Sequence, residues 1–468
     1  MASCPSQRAI IAFILLSASA CSGKGGYQAP PLAMPTVAFS APNQGLTINL
    51  GQAVTLAWAS TGATSCSATT SASGGGSFSG TQSGSGMQSV VPTATGSYTY
   101  TLDCMGMGGN AVVSTPTVKV NMSILGMLAA SGSLTMIGPT PDAVEHGGNP
   151  YGLAIAPVTA GLITAGDLVV CNFNDGATNT QGKGTTIVGL HPVAGAMPYR
   201  IALGGDLEGC NALTMLPDDS ISAAAYMANK NPLVSAGGVI GSPFSSDTFG
   251  SPWGEAFVAA KGGAPAALYV SNISGAIDRI TLNGDVQTAF TEIAKGFCGS
   301  GAPGALFGPA GLTYDASIDT LYIVDTSSAS VVAFAGVSNI GADGVVVNGQ
   351  CSAAPPTPAL TFSGASASAA RVIAHGAPLV TPLSAALLAD GDLVVGNADI
   401  NIPADQTPNL MIEVSPSLPG GFVGMPYQAD TTGVAGALFG IATALDADGN
   451  QIIYFNDDNA NAVMKLSL

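Results

Sequence analysis

The second part of the chain repeats one two-strand unit, and this repetition constrains the fold more than any other feature. In each copy an apolar strand that usually contains Gly is followed by a turn and a second apolar strand, which usually ends in Asn or Asp. Four clear copies occupy residues 151–155 with 168–172, 253–257 with 268–272, 310–314 with 321–325, and 439–443 with 453–457. Two weaker copies occupy residues 211–215 with 221–224 and 383–387 with 393–397. Units this short cannot bury their own apolar faces, so the copies must stack on one another.

A third strand follows most copies, at residues 275–280, 331–334, 411–414 and 462–466. Each copy therefore predicts an antiparallel meander, and six meanders arranged radially leave only short, protected sheet edges. The sixth copy stops at Leu468, directly after its third strand. Residues 134–137, just before the first copy, are available as the missing outer strand, and we expect them to close the ring.

These units resemble NHL repeats, whose meanders form β-propellers. The resemblance covers nearly all of residues 123–468 and implies a six-bladed β-propeller. It is specific for the fold and weak for function, because propeller repeats encode the packing between blades and leave the ligand to the loops.

The first twenty residues are typical of a secretory signal: Arg8 gives a positive start, and residues 9–16 form an apolar run too short to span a bilayer. Residues 18–20 followed by Cys21 resemble the lipobox of bacterial lipoproteins, which implies that Cys21 carries a lipid. Ser22 after this cysteine resembles the signal for sorting to the outer membrane, and residues 21–35 are interpreted as the lipidated cysteine and a flexible tether. Residues 18–20 also satisfy ordinary signal peptidase, so secretion without a lipid is the alternative.

Residues 36–122 contain short alternating segments separated by Gly and Ser, which indicate half-buried antiparallel strands. Residues 51–58, ending in Trp58, are followed by Cys66 and then by residues 98–104, ending in Cys104. This order resembles the Ig-like modules repeated in bacterial surface proteins, and it implies a small sandwich with a Cys66–Cys104 bridge across it. The predicted fold class is therefore all-β: a small Ig-like β-sandwich followed by a six-bladed β-propeller.

The remaining cysteines also predict disulfides. An even number of cysteines in an oxidising compartment favours their pairing. The four that lie in the repeat region are Cys171, Cys210, Cys298 and Cys351. Pairing Cys171 with Cys210 and Cys298 with Cys351 would join neighbouring copies, but three connectivities exist and the sequence does not choose among them.

Charge and hydropathy exclude two classes of protein. The formal net charge is -17, with 11 Lys and Arg against 28 Asp and Glu, so no basic stripe is available to bind nucleic acid. Mean hydropathy is +0.42, yet after residue 20 no apolar run approaches the roughly 20 residues of a membrane span. The expected contact with the membrane is therefore the lipid anchor.

Six residues are candidates for the mouth of a central channel, because they open the inner strands or precede them: His146, Tyr151, Asn211, Trp253, Glu255 and His375. Lyases and lactonases on propellers hold a cation there with His, Glu, Asn or Asp from several inner strands. In this chain His191 falls near a third strand, away from the axis, and the Glu-Gly-Pro start typical of the lactonase family is missing. We therefore predict no catalytic, cofactor or metal residue, and a Ca²⁺ or Zn²⁺ site is the alternative.

Three Asx-rich loops, at residues 172–175, 399–401 and 456–459, offer oxygen ligands for calcium, but Asn and Asp are also ordinary turn formers. Residues 446–450 look like the start of a calcium loop, although Asp-Gly between two strands predicts a hairpin turn. The Pro-rich residues 355–358 and the Ser- and Ala-rich tract that follows predict a surface excursion instead of a further strand.

The scarcity of catalytic residues favours a non-enzymatic function. The sequence indicates a cell-envelope lipoprotein, anchored in the outer membrane, that binds a protein or glycan partner through its propeller and uses the Ig-like module as a spacer. The alternative is a metal-dependent lyase or lactonase-like hydrolase with its site at the axial channel.

Overall fold

The computed structural model describes residues 31–244, 249–303, 307–349, 359–398, 402, 406–418 and 420–468. The predicted signal sequence and Cys21 lie outside these ranges and stay predictions. Within these ranges the chain is nearly all β, as the alternating apolar segments predict. Over the same ranges, no helix combines the length and the apolar character that crossing a membrane requires.

Ten strands form the N-terminal region and surround one apolar core. They are β1 (Thr36–Ala41), β2 (Leu46–Asn49), β3 (Val54–Thr61), β4 (Ala63–Thr70), β5 (Gly80–Gln82), β6 (Ser85–Val90), β7 (Gly96–Tyr98), β8 (Tyr100–Gly106), β9 (Gly109–Ser114) and β10 (Val118–Asn121). They pair as three sheets, in the orders β1-β3-β6, β2-β10-β7 and β5-β4-β8-β9. Trp58 is buried in the core with Phe78 and Tyr100, and its indole N–H donates to the Ser83 carbonyl at 3.0 Å.

The Cys66–Cys104 disulfide forms as predicted, but it does not cross from one sheet to another. The two cysteines are direct partners on the adjacent strands β4 and β8, with their Cα atoms 4.0 Å apart. Opposite residues on neighbouring antiparallel strands come close enough to bond. The expectation of a bridge across the sandwich is therefore wrong, and this disulfide ties two strands of one sheet together.

The strands of the repeat region form six successive meanders in the part of the chain that the structure describes. The first sheet contains β12 (Gly148–Ile155), β13 (Leu168–Asn174), β14 (Thr186–Leu190) and β15 (Tyr199–Leu203). The second contains β16 (Cys210–Met215), β17 (Ile221–Ala225), β18 (Asn231–Val234) and β19 (Ile240–Phe244). The third begins with β20 (Pro252–Val258), β21 (Ala266–Asn272), β22 (Ile277–Asn283) and β23 (Val286–Lys295).

The second half of the ring repeats this plan. The fourth sheet contains β24 (Pro309–Asp315), β25 (Thr320–Asp325), β26 (Ser330–Ala335) and β29 (Ala370–His375). The fifth contains β30 (Pro382–Leu387), β31 (Leu393–Asn397), β32 (Leu410–Val414) and β33 (Phe422–Gln428). The sixth contains β34 (Leu438–Leu445), β35 (Gln451–Asp457), β36 (Ala462–Ser467) and, as its outer strand, β11 (Ser133–Pro139).

The first strands of these sheets stand side by side around a closed circle. Strand β12 contacts β16, and the contacts continue through β20, β24 and β30 to β34, which contacts β12 again. The ring is closed by antiparallel pairing of β11 with β36, in which Leu134 faces Leu466. The strands that the repeats predict coincide with these elements, and the closing strand lies where we expect it. The arrangement is propeller-like.

The repeat region also contains a disulfide between neighbouring sheets. Cys171 of β13 is bonded to Cys210 of β16, which joins the first and second sheets and selects one of the open pairings. Cys298 is disulfide-bonded, and Cys351 lies outside the described residues. Because disulfides persist in oxidising compartments, these bonds indicate an exported protein.

The insertion after β26 contains two strands that the sequence did not predict. Residues 355–358 lie outside the described residues, but β27 (Val345–Asn348) and β28 (Thr361–Ser363) pair on either side of them. Strand β27 runs parallel to β23 and so extends the third sheet. Val345, Val347 and Leu360 are buried between the third and fourth sheets, and this apolar burial explains why the flanks form strands.

A short helix that the sequence did not predict connects the two regions. Helix α1 (Ile124–Ser131) begins at Ser123, whose hydroxyl accepts from the Gly126 N–H at 3.0 Å. Leu125 and Leu128 of this helix are buried against the fifth and sixth sheets. Three 3₁₀ turns complete the described helices, at Gly205–Leu207, Val337–Asn339 and Ala367–Ala369.

Candidate functional site

The six inner strands place equivalent residues in three rings around the axis, and all of these residues except Ala310 line the axial cavity. The first ring, where the inner strands begin, contains Tyr151, Asn211, Trp253, Ala310, Leu383 and Phe439. The second contains Gly152, Ala212, Gly254, Gly311, Ser384 and Gly440. The third contains Leu153, Leu213, Glu255, Leu312, Ala385 and Ile441. The lining is thus mostly apolar, and Glu255 is the one acidic residue in it.

The glycines of the second ring are required because neighbouring inner strands approach closely there. A Cβ atom on Gly254 would lie 2.0 Å from the carbonyl oxygen of Ala310, and one on Gly440 would lie 2.5 Å from that of Tyr151. Both contacts are with backbone, which cannot move aside as a flexible side chain could. The recurring Gly of the repeat therefore sets how tightly the ring closes.

Aromatic rings cover the axis at the end where the inner strands begin. The Tyr151 ring stacks between Phe173, at 4.3 Å between ring centroids, and Phe439, at 4.0 Å. Trp253 and Leu383 belong to the same buried apolar cluster. Stacked rings of this size contribute dispersion and burial together, so they hold this layer closed.

The axial cavity has a volume of about 80 Å³. One water occupies roughly 30 Å³ in the liquid, so the cavity has room for two or three waters or a single ion. Pockets that bind small organic ligands are larger, roughly 300–1,000 Å³. An organic substrate therefore does not fit at the axis in this conformation.

The polar groups of the axial cavity are incompletely hydrogen-bonded among the described residues. Glu255 is 7% exposed; its Oε1 atom accepts from the Ser222 hydroxyl at 3.2 Å, and its Oε2 atom has no partner. Burial raises the pKa of this carboxyl to about 8. Both side-chain polar atoms of Asn211 and the hydroxyl of Ser384 also lack partners. Buried polar groups left in this way are the usual partners of internal water or a small ion.

Four of the six residues predicted at the channel mouth line this one cavity: Tyr151, Asn211, Trp253 and Glu255. The two histidines do not. His146 is exposed in the loop before β12, and His375 ends β29, the outer strand of its sheet. A turn with a cis bond at Pro378 separates His375 from the inner strand, so its position in the sequence was a poor guide to its distance from the axis.

The third histidine lies at the side of the first sheet. His191 follows β14, and its Nδ1 atom lies 2.6 Å from Oδ1 of Asp167. The other carboxylate oxygen of Asp167 accepts from the Tyr199 hydroxyl at 2.6 Å. Because none of the three histidines lines the axial cavity, the described residues do not assemble a histidine-ligated metal there.

The Asx-rich loops are built as turns. Asn172 donates to the Thr140 carbonyl at 3.1 Å, and Asp175 accepts from the backbone N–H of Thr178 at 2.8 Å. In the hairpin between β34 and β35, the Asp446 carboxylate accepts from the N–H groups of Asp448 and Asn450. The carboxylates of Asp175 and Asp446 thus cap backbone donors, and the Asn172 amide nitrogen donates to a backbone carbonyl, which are ordinary roles of Asp and Asn in turns. Residues 399–401 lie outside the described residues.

A larger cavity, of about 500 Å³, lies between the third and fourth sheets, and we call it the lateral groove. Sequence reasoning missed it, because its residues come from two repeats and form no motif. Its polar and aromatic lining includes Lys261, Tyr269, Arg279, Tyr314, Asp319 and Ser338. The chain has only 11 basic residues, and two of them are here.

Hydrogen bonds fix the polar groups of the lateral groove in place. Asp319 accepts from the Tyr314 hydroxyl at 3.1 Å and from the Ser338 hydroxyl at 2.6 Å. Burial and the neighbouring Asp319 raise the pKa of Tyr314 to about 12, so the phenol keeps its proton. Arg279 donates to the carbonyls of Ser338 and Ile340 at 2.9 and 3.0 Å. The groove is thus a pre-formed polar surface.

Comparisons with known proteins give a fold likeness and no family. No protein-family model matches the chain, and no curated protein matches it. One similar solved structure is virginiamycin B lyase from Staphylococcus aureus, in a catalytically inactive form with quinupristin. It matches at 15% identity and a TM-score of 0.43, and the match covers 72% of this chain and 100% of that chain. A chain of a nidogen/laminin complex matches at 12% identity and a TM-score of 0.39, covering 74% and 98%. A luciferin-regenerating enzyme matches at 10% identity and a TM-score of 0.38, covering 72% and 95%. At these values the likenesses carry no argument about activity.

Proposed function

We propose that this chain is a lipid-anchored protein of the cell envelope, in which an Ig-like β-sandwich spaces a six-bladed β-propeller of the NHL type from the membrane. The propeller acts as a non-catalytic binding module for an envelope glycan or protein. The axial cavity carries this proposal, because at about 80 Å³ and under a layer of stacked rings it has no room for an organic substrate.

The lateral groove is the surface we assign to the partner. Its volume of about 500 Å³ falls within the range of small-ligand sites. It combines fixed hydroxyl, carboxylate and cationic groups with the side chains of two tyrosines. Sugars offer many hydroxyl groups and an apolar ring face, so this mixture suits a sugar unit of an envelope glycan better than a purely apolar ligand.

Filling the groove tests this assignment. Ile318 lines the groove and is 58% exposed, so Ile318→Trp places a bulky ring there without disturbing the core. Val193→Trp is the matched control, because Val193 is 60% exposed in the loop between β14 and β15. Binding of soluble peptidoglycan and outer-membrane glycan fragments is measured by calorimetry and by saturation-transfer NMR.

We expect the unmodified chain and Val193→Trp to bind a glycan fragment with similar affinity. Ile318→Trp should bind that fragment at least about tenfold more weakly, since a lost central contact commonly costs 1–2 kcal/mol. Binding that Ile318→Trp leaves unchanged, or no binding to any fragment, would overturn the groove assignment. Chemical conversion of a fragment by the purified chain would overturn the non-catalytic role.

The alternative function, a metal-dependent lyase or hydrolase acting at the axis, is favoured by one observation. Glu255 and Asn211 present buried polar atoms without partners to the axial cavity. If these atoms hold a catalytic cation, metal analysis of the purified chain will find one Zn²⁺ or Ca²⁺ that Glu255→Gln removes. A metal content that Glu255→Gln leaves unchanged speaks against this enzyme.

A further inference from the structure

Three carboxylates of the fifth sheet come together away from both the axial cavity and the lateral groove. Asp390 and Asp392 lie in the turn between β30 and β31, and Glu413 lies on β32 opposite Val394. One carboxylate oxygen of each residue lies within 4.8 Å of those of the other two. We call these three residues the carboxylate cluster. Asp390 is exposed and gives access from solvent, whereas Asp392 and Glu413 are 7% and 1% exposed.

One oxygen of this cluster is buried without a partner among the described residues. The Oε2 atom of Glu413 accepts from the backbone N–H of Leu125 at 2.6 Å, but its Oε1 atom has no hydrogen bond. The ion pairs of the described chain do not involve Asp390, Asp392 or Glu413. The Ser123 side chain also interacts with the Glu413 carboxylate. A buried carboxylate oxygen without a hydrogen bond of its own is still costly, and it indicates a missing ligand.

The turn holds the cluster in a fixed geometry. The Leu388 N–H donates to the Asp392 carbonyl at 2.7 Å, and the Asp392 N–H donates to Oδ1 of Asp390 at 3.1 Å. Glu413 is fixed by its place within the sheet and by the Leu125 N–H. The three carboxylates are therefore brought together by backbone pairing and do not depend on a ligand to assemble.

We propose that Asp390, Asp392 and Glu413 bind one Ca²⁺ ion. All three donors are carboxylate oxygens, which hard cations prefer over zinc or copper. Calcium–oxygen distances of about 2.3–2.6 Å put opposite ligands of one ion roughly 4.6–5.2 Å apart. Oxygens that all lie within 4.8 Å of one another therefore fit around a single ion. Water completes the coordination on the exposed side, next to Asp390.

The ion also acts on the connection between the two regions of the chain. Glu413 accepts from the first turn of α1, which follows β10 directly in sequence. A cation bound to the other side of the same carboxylate holds it charged and in place, and a charged acceptor makes a stronger bond to the Leu125 N–H. Calcium thus fixes α1 to the fifth sheet, and this effect requires neither the lateral groove nor the axial cavity.

Calcium titration of the purified full-length chain, after dialysis against a chelator, tests the proposal. Calorimetry is expected to show one Ca²⁺ per chain. Asp392→Asn and Glu413→Gln are each expected to weaken the affinity at least about tenfold, because each removes one of three anionic ligands. Hydrogen exchange supplies an independent reading: Ca²⁺ should slow amide exchange in residues 124–131 of the unmodified chain and have no such effect in the variants.

Asp448→Asn is the control, since Asp448 is an exposed carboxylate in the turn that superficially looks like a calcium loop. Its affinity should stay within twofold of the unmodified chain. If a buried variant fails to fold, Asp390→Asn replaces it, because Asp390 is exposed and tolerates the change. Absence of Ca²⁺ binding, or binding that all three cluster variants leave intact, overturns the proposal. If Glu255→Gln loses Ca²⁺ binding and the cluster variants keep it, the ion lies in the axial cavity and not at the carboxylate cluster.

Discussion

Replacing Glu255 by Gln should stabilise the protein at neutral pH and leave its stability unchanged near pH 4. Glu255 is buried in the axial cavity, with one oxygen bonded to Ser222 and the other without a partner. Burial raises the pKa of its carboxyl from 4.5 to about 8. Between these two values the unfolded chain has released the proton and the folded chain has kept it. The unfolded state then binds fewer protons, so the free energy of unfolding falls as pH rises.

The size of the effect follows from the same values. At pH 7 the unfolded carboxyl lies 2.5 pH units above its pKa of 4.5 while the folded one is still protonated. At about 1.4 kcal/mol per unit, this difference costs the native state roughly 3 kcal/mol. Gln keeps the shape and the acceptor for Ser222 but does not ionise, so it removes the cost. Below pH 4.5 both forms are neutral and the difference vanishes.

Urea unfolding at several pH values, followed by tryptophan fluorescence, measures this difference. Trp253 lies in the same cavity lining, and a Trp58→Phe background in both proteins removes the signal of the N-terminal region. Asp448→Asn, at an exposed site, is the control and should show no comparable trend. If Glu255→Gln is less stable at pH 7, or if the gap does not change with pH, Glu255 is charged and paired in the native state and the reasoning is refuted.

Three further changes have outcomes that follow from the structure. Gly254→Ala places a Cβ atom 2.0 Å from a neighbouring backbone oxygen, so it should lower the free energy of unfolding by roughly 1–3 kcal/mol or more in the same urea assay. Gly205→Ala is the control, because a Cβ atom at Gly205 meets no neighbouring atom, and it should change the free energy of unfolding by less than about 0.5 kcal/mol. Changing Cys171 and Cys210 together to Ala opens a loop with a sequence separation of 39 and should cost about 4 kcal/mol in the chain-entropy model, read as a lower urea midpoint. Cys21→Ala should abolish labelling by an acyl-lipid analogue and release the protein from the membrane fraction, and a label that persists would refute lipidation at this residue.

The inner and second strands of the ring could be predicted because their signal is local. Each pair has short apolar runs, a turn, and a Gly where the next inner strand approaches, and Gly254 and Gly440 show why that residue type recurs. The closing role of β11 was also predictable, since the last repeat lacked an outer strand and one apolar segment was free. These inferences need only the period of the sequence and the requirement that apolar faces be buried.

Features that depend on contacts between repeats were not predictable. Helix α1 lacks a helical pattern in its eight residues, and Gly126 lowers its helix propensity, so its burial against other sheets decides its structure. The closure of the axis depends on Phe173 stacking on Tyr151 from a second strand. The partners Asp392 and Glu413 meet only because β31 and β32 pair in one register.

The pairing of β11 with β36 has a consequence for how the protein reaches its final state outside the cytoplasm. A chain that is exported from its N-terminus delivers β11 before β36, so the sheet that contains both strands cannot form until β36 has followed. During that interval β11 presents unpaired backbone groups, which can template pairing with another chain. A nascent chain that stops early never supplies the partner, and its ring stays open. Closure of the ring therefore requires β11 and β36 in the same molecule.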